Sequence, residues 1–353
     1  MKLITLSIKN FRNFSTATFE FPQKLFITGP NGSGKTTIAE AIYYFTSFRS
    51  YKEPRDSNLV KKGEEEFMLH SDSVRAGEKL NMGVSYSGKG KRIRINNEDI
   101  AKHSEGFGKF IAVVFSGEDK YLSAGSGKYR RKFTDRIISV TDRNYFNHLI
   151  DYHRVLKQRN KMLKDNPSSR MIDTYAAQMS KVSAYIYERR VEFVWYFREV
   201  LTDVYRQIFE REIDIDVEYY SSKDNGKYTQ RSLIEALRSM RDRERKLGYT
   251  PVGLHRDDYK IEIDSKSISQ IGSEGEQRLL GIALKITEVL LIYESLGEHP
   301  LVILDDVLAE LDSERKEKLM SVFDAFPQII VMSPVSEDNV LDYPVKSLDN
   351  TNT

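Results

Sequence analysis

The chain has 353 residues, enough for two domains or one domain with a large insertion, and its 40% apolar content is ample for a core. Lys and Arg (54) nearly balance Asp and Glu (52), so the net charge of +2 announces no nucleic-acid partner and any such surface has to be local. With no cysteine, a disulfide framework, a cysteine-ligated zinc and an iron–sulfur cluster are excluded; with no leader pattern and no apolar run near ~18 residues, the expectation is a cytoplasmic protein without a membrane span.

From the N-terminus, Ile4, Leu6 and Ile8 alternate with Thr5, Ser7 and Lys9, the period of a half-buried strand, and residues 16–21 read as its hairpin partner. Between them, Arg12 and Asn13 either contact a nucleotide from the loop or cap a turn. Residues 25–28 form a short β-prone run. Gly29-Pro30-Asn31-Gly32-Ser33-Gly34-Lys35-Thr36 then fits G-x-x-x-x-G-K-[ST], and from Thr37 to Phe45 the apolar spacing is helical. Strand, glycine-rich turn and helix are the context a phosphate-binding P-loop requires. Glycines let backbone N–H groups converge on an anion without Cβ interference, and the helix N-terminus adds partial positive charge. Lys35 is expected to reach the β- and γ-phosphates of a nucleoside triphosphate and the Thr36 hydroxyl to ligate Mg2+.

Residues 67–71, 79–86, 91–95 and 111–115 are short runs that suggest an antiparallel sheet beside the nucleotide-binding unit. Residues 116–164 then carry 12 Lys/Arg against 5 Asp/Glu. A helical pattern begins near Gly125, with Tyr129, Phe133 and Ile137 at i, i+4 and i+8. Its basic residues are either a solvated helix face or phosphate contacts. The one-signed excess, interleaved with Tyr145, His148, Tyr152 and His153, makes Lys128, Arg130, Arg131 and Lys132 the candidate DNA contacts. Residues 143–164 and 170–210 read as a helical hairpin joined at Asn166-Pro167-Ser168-Ser169, the longer helix spanning on the order of 60 Å. We expect this hairpin to be an arm rather than a catalytic element. A strand at 213–220 and a helix at 232–246 follow.

The last quarter supplies a second half-site. Leu301-Val302-Ile303-Leu304-Asp305-Asp306 is a buried-strand run ending in two carboxylates, the Walker B arrangement. Asp305 is expected to hold Mg2+, and Asp306 to orient or deprotonate the attacking water, which makes Asp306 and Lys35 the catalytic candidates. Upstream, Ser273-Glu274-Gly275-Glu276-Gln277-Arg278 opens a helix. It can be a plain N-cap, but Ser-x-Gly-x-Gln before a Walker B strand is the ABC-type signature, so Ser273, Gly275 and Gln277 are candidates for a γ-phosphate presented by another subunit. Ala309-Glu310-Leu311-Asp312 occupies the D-loop position.

These motifs, together with Ile8-Lys9-Asn10-Phe11-Arg12-Asn13-Phe14, Phe48-Arg49-Ser50-Tyr51, Val114-Phe115-Ser116-Gly117-Glu118-Asp119, Gly253-Leu254-His255-Arg256-Asp257-Asp258 and Asp305-Asp306-Val307-Leu308, make the chain resemble the bacterial RecF family. The resemblance implies an α/β fold: an ABC-type ATPase head with an antiparallel β-subdomain and an inserted helical arm lobe. It implies ATP and Mg2+, an ATP-dependent homodimer, binding to DNA at gaps or junctions, and cooperation with RecO and RecR in loading RecA. The expected division is residues 1–117 and 250–353 in the ATPase lobe and 118–249 in the arm lobe. Gly117 and Gly127 stand where the family commonly has proline, Leu254 replaces a proline and Phe48 a glycine, changes that bear on loop rigidity.

Against transporter-type ABC ATPases the site is understaffed. No glutamine lies between Gln23 and Gln158, no histidine follows His299, and Asp306 is a methylene shorter than the usual glutamate. Slow hydrolysis is the expectation, with ATP acting mainly as a clamp. A chromosome-maintenance or break-repair ATPase needs hundreds of coiled-coil residues between P-loop and signature, whereas only 236 residues in all separate Thr36 from Ser273, and there is no cysteine for a zinc hook. A nuclease of the overcoming-lysogenisation type needs an acidic domain after Walker B, and only residues 306–353 follow Asp305.

Overall fold

The computed structural model describes residues 1–165, 168–210, 212–222, 228–270, 274–308, 311–336 and 339–348. The chain divides into two compact units, one of Met1–Asp119 with Glu288–Thr353 and one of Lys120–Thr287.

The first unit opens with β1 (Lys2–Phe11) and β2 (Phe14–Glu20), an antiparallel hairpin whose register pairs Leu6 with Phe19 and Phe11 with Phe14. Arg12 turns the chain with φ 55°. After β3 (Lys24–Thr28) comes α1 (Lys35–Ser47), then β4 (Glu66–Arg75), β5 (Glu78–Ser87), β6 (Gly90–Ile95) and β7 (Glu98–Asp99). Among the described residues these build a six-stranded antiparallel sheet, β2-β1-β4-β5-β6-β7. Alternate residues on one face, such as Leu6, Ile8, Leu69, Val84 and Ile93, join the core with the apolar residues of α1, as a period-2 pattern dictates for a sheet with one wet face.

The short α2 (His103–Gly106) leads to β8 (Ala112–Ser116). Sequence spacing placed this run in the antiparallel sheet; it is instead an edge of a parallel one, pairing with residues 301–305 from Ala112↔Leu301 to Ser116↔Asp305. All five residues of β8 are buried. A short continuous apolar run suits a strand covered on both faces, which is the habit of parallel sheets.

The second unit begins with α3 (Lys120–Ala124), α4 (Gly127–Thr141), α5 (Arg143–Leu163) and α6 (Ser169–Phe209). Helices α5 and α6 are the expected hairpin, with Asp142 and Ser168 accepting backbone N–H bonds as N-caps. Then come β9 (Ile215–Tyr220), α7 (Gln230–Ser239), α8 (Arg241–Leu247), β10 (Asp258–Ile263) and β11 (Lys266–Ser267). The single helix expected at 232–246 is two, because Met240 leaves helical geometry (φ −93°, ψ 7°). Residues 250–287, expected in the ATPase lobe, fall in this unit, where β10 pairs antiparallel with β9 along its length.

Among the described residues two ion pairs, one fully buried and one nearly so, brace the second unit. Arg159 and Glu244, both fully buried, share two hydrogen bonds of 2.9 and 2.7 Å, and Arg159 also donates to Thr250 Oγ1 at 2.7 Å. Arg190 forks onto Asp135 at 3.0 and 2.9 Å and donates to the Leu254 carbonyl at 2.9 Å. Removing one partner of such a pair costs about 3–5 kcal/mol, because the other stays buried and charged.

The chain crosses between units a second time within α9 (Glu274–Leu296) and continues with β12 (Leu301–Asp305), α10 (Ser313–Asp324), β13 (Ile329–Ser333) and β14 (Val345–Ser347). Among the described residues the parallel sheet has the order β14-β3-β13-β12-β8. Gln328 ties the two sheets of the first unit together. Its Oε1 accepts from Leu3 N at 2.8 Å, and its Nε2 donates to the carbonyls of Leu3 and Pro22 at 2.8 and 3.0 Å. Among the described residues no helix is long and apolar enough to cross a membrane.

Candidate functional site

β3 and β12 deliver the two sequence motifs to the same end of the parallel sheet, with β13 between them. After β3 the loop turns on Gly32 (φ 87°) and Gly34 (φ 101°), left-handed conformations that favour glycine. At Gly34 space matters as well: a Cβ would lie 2.6 Å from the Phe14 ring and 3.1 Å from Asn13 Nδ2. Ser33 N donates to the Pro30 carbonyl at 3.1 Å, and Ser33 itself is fully buried. Lys35 starts α1; its Nζ donates to the carbonyls of Gly29 and Pro30 at 2.6 and 3.0 Å. Burial pulls the Lys35 ammonium below its usual range, while Asp306 and Asp305 push back up.

Thr36 Oγ1 donates to Asp305 Oδ1 at 2.9 Å, although 269 positions separate them in the chain. Asp305 is buried, and its Oδ2 accepts from Tyr51 OH at 2.9 Å and Lys52 Nζ at 3.2 Å. Burial, then the neighbouring Asp305 charge, raises the Tyr51 phenol well above its usual range. Asp306 is exposed and left-handed (φ 57°), its backbone N–H held by the Met332 carbonyl at 3.0 Å. Asp is one of the residues that tolerate this conformation.

Arg12 and Asn13 reach the same place from the β1–β2 turn. Asn13 Nδ2 donates to the Gly32 carbonyl at 3.2 Å. Arg12 forks onto Glu40, Nε to Oε2 and a terminal nitrogen to Oε1, both at 2.8 Å. That contact, with the charges of Glu40 and Glu53, holds the guanidinium pKa above its usual value against the opposing pull of burial. Arg12, Asn13, Asn31, Gly32, Gly34, Lys35, Thr36, Thr37, Asp305 and Asp306 line one cleft of about 520 Å³, joined by Asn58, Val60 and Lys62.

A magnesium nucleotide fits these residues. The donors that meet are oxygens, Thr36 Oγ1 and Asp305 Oδ1. Their 2.9 Å separation is close to the ~2.9 Å between neighbouring ligands of an octahedral ion with bonds of about 2.0–2.1 Å. Thr36 and Asp305 would hold the ion, which supplies charge neutralisation to the phosphates.

Sequence reasoning missed Glu40, Tyr51, Lys52, Asn58, Val60 and Lys62. Glu40 carried a signal: it is the one charged residue in the apolar stretch Ile38-Ala39-Glu40-Ala41-Ile42 of α1, and a buried charge requires a partner. Tyr51 lies in the Phe48–Tyr51 motif, which gave it no role, and for the others nothing local marks the contact.

Gly275, Gln277 and the four basic candidates fall in the second unit, and Asp312 of the D-loop position in the first. Gly275 and Gln277 sit in the first turn of α9; Ser273 lies outside the described residues, as do Ala309 and Glu310. Asp312 is the N-cap of α10, accepting from Arg315 N at 2.9 Å. Of the four basic candidates, Lys128 and Lys132 are exposed. Arg130 forks onto Asp258 at 3.0 and 2.8 Å, and Arg131 donates to the Asp257 carbonyl. Gly127 has a steric reason, since a Cβ there would lie 2.5–2.6 Å from the Asp258 carboxylate. Phe48 ends α1 in a left-handed conformation (φ 55°) with its ring buried; a Cβ on Gly106 would meet that ring at 2.7 Å. His255, between Tyr152 OH at 2.8 Å and the Thr250 carbonyl at 3.0 Å, is pushed down to about 4 by burial.

A P-loop and a Walker B strand in a parallel sheet flanked by an antiparallel sheet define an ABC-type ATPase head with a helical insertion. A family profile described as the RecF/RecN/SMC N terminal domain matches residues 2–340. The chain is 31% identical to the DNA replication and repair protein RecF of Bacillus cereus (strain G9842), over 94% of this chain and 91% of that one. It is 31% identical to the protein of that name from Clostridium acetobutylicum, over 99% and 98%. A solved structure of the recombination mediator protein RecF with ATP in the RecFOR pathway superposes with a TM-score of 0.88 at 28% identity, over 95% of this chain and 93% of that one. The chain belongs to the RecF family.

Proposed function

We propose that this protein is an ATP-dependent DNA-binding switch of recombinational repair and replication. The observation that carries the reading is the Thr36–Asp305 contact, which joins P-loop and Walker B in one oxygen-lined corner. In it, Lys35 and the loop N–H groups bind the triphosphate, Thr36 and Asp305 hold Mg2+, and Asp306 orients the attacking water. Arg12 and Asn13 add contacts from the β1–β2 turn. Hydrolysis is slow and serves as reset.

ATP joins two copies of the chain, Ser273, Gly275 and Gln277 of one completing the phosphate site of the other. The pair clamps DNA at single-strand gaps or junctions and works with RecO and RecR to load RecA. Likeness to RecF proteins, one of them solved with ATP, supports this. Lys128 and Lys132, exposed on α4, are the phosphate contacts, whereas Arg130 and Arg131 brace the fold. The test is DNA binding titrated against salt, with and without a non-hydrolysable ATP analogue. ATP should tighten binding to gapped DNA; equal affinity with and without nucleotide would remove the switch.

A further inference from the structure

Asp305 is claimed from two sides. Thr36 bonds one oxygen; Tyr51 and Lys52 bond the other at 2.9 and 3.2 Å. Tyr51 and Lys52 belong to the segment after α1, which folds back on a single side chain. Ser50 Oγ accepts the backbone N–H of Lys52 at 3.0 Å and of Glu53 at 2.8 Å, and donates to Glu40. Glu40 in turn grips Arg12. A chain of bonded groups thus runs from Arg12 through Glu40 and Ser50 to the metal-binding carboxylate.

We propose that Lys52 is a built-in counter-cation of Asp305 that competes with the divalent ion, so that Lys52, with Tyr51, sets how much Mg2+ the site requires. The inference rests on the reading of this corner as a Mg·ATP site. An octahedral ion bound at Asp305 needs the carboxylate's lone pairs for short oxygen bonds, and an ammonium 3.2 Å from Oδ2 repels it. Lys52 is one-third exposed, so its head can move into water while its stem keeps its packing. Lys52 and Tyr51 are positioning residues: they act on the ion through Asp305.

The test is binding of a fluorescent ATP analogue across a Mg2+ series that includes a chelated, metal-free point. Lys52→Gln should lower the Mg2+ concentration for half-maximal tightening by about fivefold, the range for a pair with one partly exposed member. Its metal-free affinity should not rise. Lys52→Arg should stay near wild type, and Tyr51→Phe should shift the same way by less. An unchanged or raised Mg2+ requirement in both Lys52→Gln and Lys52→Ala, with circular dichroism showing folded protein, overturns the proposal. Wild-type protein that binds no analogue with or without metal overturns the Mg·ATP reading itself, and the inference falls with it.

Discussion

Glu40 is 1% exposed, and its carboxylate receives the whole fork of Arg12 through two 2.8 Å hydrogen bonds. Two charge-assisted bonds of that geometry, fully buried, would make removal of one partner cost about 3–5 kcal/mol. The Arg12 side chain is 30% exposed, so water can take over part of its solvation, and about 2 kcal/mol is the reasonable figure for their coupling. The perturbation is a double-mutant cycle of Glu40→Ala, Arg12→Ala and both together, read by urea unfolding. Each single change should destabilise the first unit, and the double change should cost about 2 kcal/mol less than the sum. ATP affinity separates the two readings of Arg12. If it only caps the turn, Arg12→Ala and Glu40→Ala should weaken binding equally, through the displaced loop. If it touches the nucleotide, Arg12→Ala should weaken binding further. Strictly additive stabilities, with coupling below about 0.5 kcal/mol, would refute the pairing as an energetic unit.

Lys35→Ala should abolish measurable ATP affinity in a nucleotide titration, since Lys35 carries the positive charge aimed into the loop. Asp306→Asn should slow steady-state hydrolysis while leaving ATP binding intact; wild-type turnover would remove the general-base role. Replacing Lys128 or Lys132 with Gln should reduce the salt slope of duplex binding by roughly one unit each, whereas Arg130→Gln should lower thermal stability, because Asp258 loses its partner. His255 titrates near 4 when folded and near 6.5 when unfolded. The unfolded chain therefore binds the extra proton between those values, and stability falls as pH drops from 6.5 toward 4, an acid sensitivity that His255→Gln should reduce.

The P-loop and Walker B were legible because their chemistry is local: eight consecutive residues, and a run of four aliphatics ending in acids. Their meeting at Thr36 and Asp305 follows from parallel pairing of β3, β13 and β12. The basic run was half legible. Its charge is visible in sequence, but Arg130 turns inward to Asp258, 128 positions away, and no local pattern announces that partner. Residues 111–115 misled for a related reason: a short apolar run does not say which sheet it enters, and burial on both faces decides for the parallel one. Tyr51 stood out only as the end of the Phe48–Tyr51 motif and Lys52 not at all, because what makes them part of the site is a carboxylate on a distant strand.

The central claim is that Mg·ATP, bound in the Thr36–Asp305 corner, joins two copies of the chain. Sedimentation velocity with Mg2+ and a non-hydrolysable ATP analogue tests it most directly, on wild type, Lys35→Ala and Ser273→Arg. Wild type should move from monomer to dimer when the analogue is added. Lys35→Ala should stay monomeric for want of nucleotide, and Ser273→Arg should bind the analogue yet stay monomeric. A Ser273→Arg protein that dimerises with the analogue as wild type does, or a wild type that never dimerises, contradicts the claim.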